Sequence, residues 1–392
     1  IPALYLINQQ GETRPMVDLQ GKYYAIEDLD ANFVKACVDV EKYGHHAGDY
    51  VKNSYAPKYN PDGLWDKKAS EKDEDLNIVL CMEMKQEGTA FKIEKHVHNY
   101  PHCWRTDKPI LYYPLDSWFI KDTAKKERMV ELNKAIRWQP ESTGTGRFGN
   151  WLENLNDWNL SRSRFWGTPL PIWRDDKRNE KCIGSLEELY LEIEKSVAAG
   201  VMKANPLKDN GFVPGDYSKE NYDKVDLHRP YVDNIVLVNE AGEPMKRESD
   251  LIDVWFDSGA MPYAQQHYPF EGEMAEKGLE ATGMEKTTYR RQLVTSTYEG
   301  IPVPPAFYPA DFINEGVDQT RGWFFTLHAL STMIFDSAAF KNVISTGLVL
   351  DAKGNKMSKH VGNVTNPFEM IDKYGADPVR FYMITNSEPW DN

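Results

Sequence analysis

Apolar and polar positions change period several times along this chain. Residues 3–7 and 78–81 are short apolar runs of strand type, and residues 29–42 carry apolar side chains at helical spacing. A charge-rich stretch at 67–75 interrupts them. From about residue 100 the pattern turns to aromatic segments punctuated by proline, such as Tyr100-Pro101-His102-Cys103-Trp104 and Trp166-Gly167-Thr168-Pro169-Leu170-Pro171. An amphipathic helix is predicted at 186–199, inside a loop-rich stretch from 175 to 250 that reads as an insertion.

The C-terminal part is the most legible. Trp323, Phe324, Leu327, Leu330 and Ile334 recur at helical spacing and predict a helix over 318–334. Residues 343–350 form an apolar run of strand length, interrupted by Gly347, and Asp351-Ala352-Lys353-Gly354-Asn355 is a turn. Asn366-Pro367 reads as an N-cap followed by proline at the first helical position, with Gly375 as the matching stop and Asp377-Pro378 as another start. Helix, strand, loop and helix in this order predict half of a doubly wound α/β sheet. Ligands of such sheets bind at the carboxyl ends of the strands, where the loop at 354–360 falls.

Composition narrows the classes. With 392 residues, 41% of them hydrophobic, the chain is globular and long enough for two or three domains. No apolar run reaches the roughly 18 residues of a membrane span, and the opening Ile1-Pro2-Ala3-Leu4 has no signal-peptide character. With no initiator Met, both ends are expected to be cuts in a longer protein. A net charge of -14 disfavours non-specific nucleic-acid binding but leaves room for a local basic patch. The four cysteines, Cys37, Cys81, Cys103 and Cys182, are scattered, which suits free thiols in a reducing, cytoplasmic compartment.

Four segments carry candidate chemistry. In Lys356-Met357-Ser358-Lys359-His360, two lysines on a loop led by Gly354 and Asn355 can bring two ammonium groups to one polyphosphate. By charge pattern alone, a solvated loop is the plainer reading. In Glu315-Gly316-Val317-Asp318-Gln319-Thr320-Arg321-Gly322-Trp323-Phe324, glycine permits close backbone approach, and carboxylates can accept from an ammonium group or from ribose hydroxyls. Helix capping is the plainer reading of the same residues. Asp253-Val254-Trp255-Phe256-Asp257-Ser258-Gly259 reads as a strand ending in a polar turn. In Asp157-Trp158-Asn159-Leu160-Ser161-Arg162-Ser163-Arg164-Phe165-Trp166-Gly167, the two arginines can contact phosphates or pair with carboxylates.

These segments, in this order, resemble the isoleucyl-tRNA synthetase family, a branched-chain member of the class I aminoacyl-tRNA synthetases. The lysine loop resembles the class I signature loop, with His360 where Ser or Arg is usual. The arginine segment resembles one shared by isoleucyl, valyl and leucyl enzymes. A valyl enzyme is the nearest rival, and it differs at the Trp255 and 318–323 motifs. The resemblance implies that Lys356 and Lys359 are catalytic and that Lys356, Met357, Ser358 and Lys359 bind ATP, used with Mg2+. It further implies that Glu315, Gly316, Asp318 and Gln319 line an aminoacyl-adenylate site, with Trp255 and Trp323 walling a dry slot for a branched aliphatic side chain. The implied parent activates isoleucine with ATP and transfers it to tRNA(Ile), as a monomer without membrane association.

The implied organisation is the trailing part of an inserted, mainly-β editing domain at 1–98, a return into the catalytic domain at 99–174, an insertion at 175–250, and the second half of a Rossmann-like sheet at 251–392. No HIGH-type motif, which supplies the other half of the ATP site, occurs in the sequence. The chain alone is therefore expected to be inactive. A stand-alone nucleotide- or tRNA-binding module, or an editing module, is the alternative.

Two signals are discounted. Gly144-Thr145-Gly146-Arg147-Phe148-Gly149 fits a dinucleotide fingerprint by letter, but no apolar strand is evident before it. His96, His98, His102 and Cys103 are closely spaced potential ligands without a partner cysteine pair, so no zinc is expected.

Overall fold

The computed structural model describes residues 4–103, 105–271, 280, 308–358, 362–386 and 388–390. The chain forms two compact units, Ile1–Asp116 and Ser117–Asn392.

In the first unit, strands Tyr5–Ile7 and Thr13–Pro15 pair antiparallel, with Leu6 opposite Arg14. This is less strand than a mainly-β expectation, and helices supply most of the remaining regular structure. The helix expected over 29–42 is two, Ala31–Cys37 and Val40–Gly44, because Val38 is extended and Asp39 starts a new cap by accepting from the Lys42 amide. The apolar run at 78–81 lies inside a helix, Leu76–Gln86, and not in a strand. A four-residue apolar run cannot distinguish the two, and its flanks of Met, Glu, Lys and Gln favour helix.

The second unit is organised by a three-stranded parallel sheet. Strand Asn342–Thr346 lies between Ile313–Gly316 and Arg137–Gln139. Its outer neighbour is in register, Glu315 opposite Ser345 and Gly316 opposite Thr346, so the two carboxyl ends are level. Helix Trp323–Phe335 links these two parallel strands, as a crossover requires. Burial of Phe324, Phe325, Leu327, Ala329 and Leu330 fixes the helix against Trp138, Phe148, Phe340 and Val343. His328 within it is buried and held to about 4 by desolvation; its Nε2–H donates to the Met129 carbonyl at 2.8 Å, so the ring is neutral.

The helix predicted over 318–334 starts later. Val317–Arg321 is a tight single turn, the chain breaks at Gly322, and the regular helix runs Trp323–Phe335. The run 343–350 is strand only over Asn342–Thr346. Asn366 caps helix Pro367–Tyr374 by accepting from the Phe368 amide, and Gly375 ends it at φ +89°. The next helix, Ala376–Thr385, begins before Asp377-Pro378, one residue ahead of the predicted start.

A strand does precede the 144–149 glycine run: Arg137–Gln139, invisible in sequence because Trp138 is its single apolar residue. The run itself is a wide helical turn, Thr143–Phe148, packed on that strand. The Trp138 indole occupies the space a Cβ on Gly144 would need, and donates to Asn133 Oδ1 at 2.8 Å. Gly144 and Gly149 thus serve close packing, whereas Gly146 faces open space.

A separate core gathers Trp173, Ile193, Leu237 and Met245. Here the antiparallel order is Glu180–Cys182, Ile172–Arg174, Pro244–Arg247, Val236–Val238, and helix Leu186–Ala198 contributes Leu189 and Ile193 to the core. Ser185 caps that helix on the Glu188 amide, and the Glu188 carboxylate returns to the Gly184 amide at 2.7 Å.

Candidate functional site

Two of the predicted segments leave the carboxyl ends of neighbouring parallel strands. Glu315 and Gly316 close strand Ile313–Gly316, and the lysine turn follows strand Asn342–Thr346. Glu315 and Asp318 are exposed, whereas Thr320 behind them is buried and accepts from Arg147 Nε at 2.9 Å. The Asp318 carboxylate folds back over Gly316, so a Cβ there would lie 2.7 Å from Asp318 Oδ1 and push that side chain aside. Gln319 performs the capping role, since its Oε1 accepts from the Trp323 amide at 3.0 Å.

The two predicted wall residues come together through a pair of helices. The Asp253 segment is a helix, Val254–Ala264, not a strand running into a turn; strand character ends with Leu251–Ile252. Asp253 caps it by accepting from the Trp255 amide at 3.3 Å. Gly259 lets this helix meet helix Trp323–Phe335 backbone to backbone, for a Cβ there would fall 2.9 Å from the Thr326 carbonyl oxygen. Across that seam the Trp323 indole N–H donates to the Ser258 carbonyl at 3.1 Å. Trp255, 38% exposed, rests its six-membered ring against Gly322.

The lysine turn is built on side-chain amides and one carboxylate. Lys356 bridges back to Leu350, closing a loop that begins at Asp351. Asp351 accepts from the amides of Lys353 at 2.9 Å and Asn355 at 2.8 Å, and from Asn363 Nδ2 at 2.9 Å. Asn363 Oδ1 in turn accepts from the Ser358 amide at 2.8 Å. These donors, led by Asn363, hold the Asp351 carboxyl down to about 2. Lys356 is exposed; Met357 and Ser358 are half-buried. Lys359 and His360 lie outside the described residues.

The arginine segment resolves toward pairing. Arg162 Nη2 meets Asp253 Oδ2 at 2.7 Å, and the Trp158 indole donates to the same oxygen at 3.0 Å. Arg164 is exposed. Sequence reasoning does not reach Asp253, Gly322 or Asn363 as site residues. An aspartate directly ahead of Val254-Trp255-Phe256 is a readable N-cap signal; the other two have no local signal.

A cavity of about 720 Å³ lies elsewhere, lined by Thr168, Tyr217, Tyr222, His228 and His267 among others. His102 Nδ1 sits 2.7 Å from the Asp107 carbonyl oxygen, and His96 stacks on His98. Among the described residues no group of three or more His, Cys, Asp or Glu side chains is arranged to hold a metal ion, and no helix is long and apolar enough to cross a membrane.

Residues 25–289 and 303–391 match the family model for tRNA synthetases class I (I, L, M and V). An isoleucine–tRNA ligase of Bacteroides thetaiotaomicron is 65% identical over 393 residues, covering 100% of this chain and 32% of the relative. One from Bacteroides fragilis is 63% identical and one from Porphyromonas gingivalis 58%; each covers all of this chain and 31% of its own length is matched. The chain thus spans about a third of the curated relatives it matches.

Proposed function

This chain belongs to the class I tRNA synthetases, and from that premise we propose that it is the part of an isoleucine–tRNA ligase that holds the amino-acid slot and one of the two phosphate-binding elements. The observation that carries the reading is that Glu315 and Gly316 end a strand level with its parallel neighbour Asn342–Thr346, which leads on to the lysine turn, while Trp255 and Trp323 stand on paired helices.

The proposed chemistry has two steps. The isoleucine carboxylate attacks the α-phosphorus of ATP, and pyrophosphate leaves. Lys356 and Lys359 stabilise the negative charge that grows on the leaving oxygens, with Met357 and Ser358 completing the ATP contact. Glu315 and Asp318 accept from the amino acid's ammonium group or the ribose hydroxyls, and Gly316 lets the adenylate lie close to the backbone. The two indoles give the aliphatic side chain an apolar surface. A terminal ribose hydroxyl of tRNA(Ile) then attacks the carbonyl carbon of the adenylate, the acyl–phosphate bond breaks and AMP leaves. No step is routed through a metal ion; magnesium would accompany ATP.

Under this reading residues 1–98 belong to an editing domain, 99–174 and 251–392 to the catalytic domain, and 175–250 to an insertion with its own core. The activity belongs to a full-length, cytoplasmic, monomeric protein.

Isoleucine-dependent ATP–pyrophosphate exchange by the full-length protein tests the proposal. Lys359→Ala and Lys356→Ala should each lower the exchange rate at least about tenfold with little change in isoleucine KM. Absence of exchange with any branched-chain amino acid would overturn the reading.

A further inference from the structure

Gly322 directly precedes Trp323 in the chain and lies against the ring of Trp255. A Cβ built on it would lie 2.6 Å from Gln319 Oε1, and 3.2 and 3.4 Å from the Cη2 and Cζ2 atoms of Trp255. Gln319 cannot swing away without cost, because that oxygen holds the Trp323 amide at 3.0 Å. The Trp255 ring is the group left to move, while Trp323 is tied separately through its N–H to the Ser258 carbonyl at 3.1 Å. Gly322 itself is buried, so its missing side chain is filled by neighbours and not by solvent.

We propose that Gly322 is a specificity-determining residue, which sets the separation of Trp255 from the start of helix Trp323–Phe335 and thereby the width of the slot for the amino-acid side chain. The proposal rests on the reading that Trp255 and Trp323 wall that slot. Its physical basis is van der Waals contact. A ring resting directly on backbone is placed to within a few tenths of an ångström, and a methyl group between them displaces it. Narrowing the slot excludes the larger of two aliphatic side chains; widening it removes contacts from the methylene that distinguishes them. Either displacement lowers preference for the larger one. One methylene in an apolar pocket is worth only about tenfold to two-hundredfold, a limit for which isoleucyl enzymes are the standing example, so a small displacement consumes much of it.

The test is exchange kinetics of the full-length protein without tRNA, comparing isoleucine with valine. Gly322→Ala should lower the ratio of kcat/KM for isoleucine over valine by about tenfold, with the KM for ATP unchanged. Equal losses for both amino acids, or an unchanged ratio, would overturn the proposal. Trp255→Phe removes the benzo ring that meets Gly322 without touching the backbone, and is the second arm should Gly322→Ala fail to fold. It should lower the same ratio, and an unchanged ratio overturns the proposal by itself. Lack of isoleucine-dependent exchange in the unaltered protein would overturn the functional reading as well; normal exchange with an insensitive ratio would overturn this inference alone.

Discussion

Arg162 reaches the buried carboxylate of Asp253 at 2.7 Å, and that carboxylate also holds the Trp158 indole and the Trp255 amide. One side chain therefore ties the arginine segment to the first turn of the helix that presents Trp255. Replacing Asp253 by Ala leaves the Trp158 indole N–H without its acceptor, removes the carboxylate partner of Arg162 and deletes an N-cap. We expect a loss of about 3 kcal/mol in denaturant unfolding of the chain and a higher isoleucine KM in the full-length protein. Asp253→Asn keeps the cap and loses the charge, so it should fall between. Identical unfolding curves for the Asp253→Asn variant and the parent would remove the ion pair from the account.

Trp255→Ala deletes apolar surface from the proposed slot. Isoleucine KM should rise at least about tenfold while kcat stays within about threefold, the pattern of lost uniform binding. A kcat effect without a KM effect would contradict the slot.

The lysine turn depends on Asp351 and Asn363. Asn363→Ala should speed hydrogen exchange of the amides at 353–358 and lower the pyrophosphate-exchange kcat about tenfold, since positioning of a charge matters as much as its presence. The pH dependence has a definite sign. Donors press the Asp351 carboxyl from its ordinary 3.8 to about 2, so its contribution is complete above 3.8 and lost as pH falls through about 2. Protection of the turn should be flat from about pH 8 to about pH 5. Loosening within that window would assign the turn to another group.

Asp122 behaves oppositely. Fully buried, with neither oxygen hydrogen-bonded among the described residues, its carboxyl is pushed up to about 7 by desolvation first and by Asp157 second. The folded chain keeps a proton that the unfolded chain releases above 3.8, so stability should fall as pH rises from about 4 to about 7 and remain low beyond. Asp122→Asn should match the parent near pH 4 and exceed it by up to about 4 kcal/mol above about pH 7. Melting curves across pH decide this, and a constant difference would show that Asp122 does not titrate there.

Much of the C-terminal half is legible in sequence because its signals are local. Asn366 and Gly375 announce the ends of their helix, and Leu327 and Leu330 the buried face of another. The strand at Trp138 is not legible, since an edge strand of three residues with one apolar member has no period to read. The Asp253 helix escapes notice for a related reason: Val254, Trp255 and Phe256 are strand formers, and the cap and the close seam at Gly259 override their propensity. Motif identity singles out Trp255 and Trp323, but the contact of Trp255 with Gly322 becomes visible only once the ring is in place.

The seam at Gly259 has a mechanical consequence. At Gly259 the two helices meet backbone against backbone with Leu330 packed beside the glycine, and the indoles they carry belong to one stiff block. The lysine turn is held differently, by hydrogen bonds among Asp351, Lys353, Asn355, Ser358 and Asn363 within the turn itself. Under the proposed function, substrate size is gauged by the stiff helix pair and the phosphates by the turn, so changes that tune rate and changes that tune selectivity should fall on separate parts of the chain.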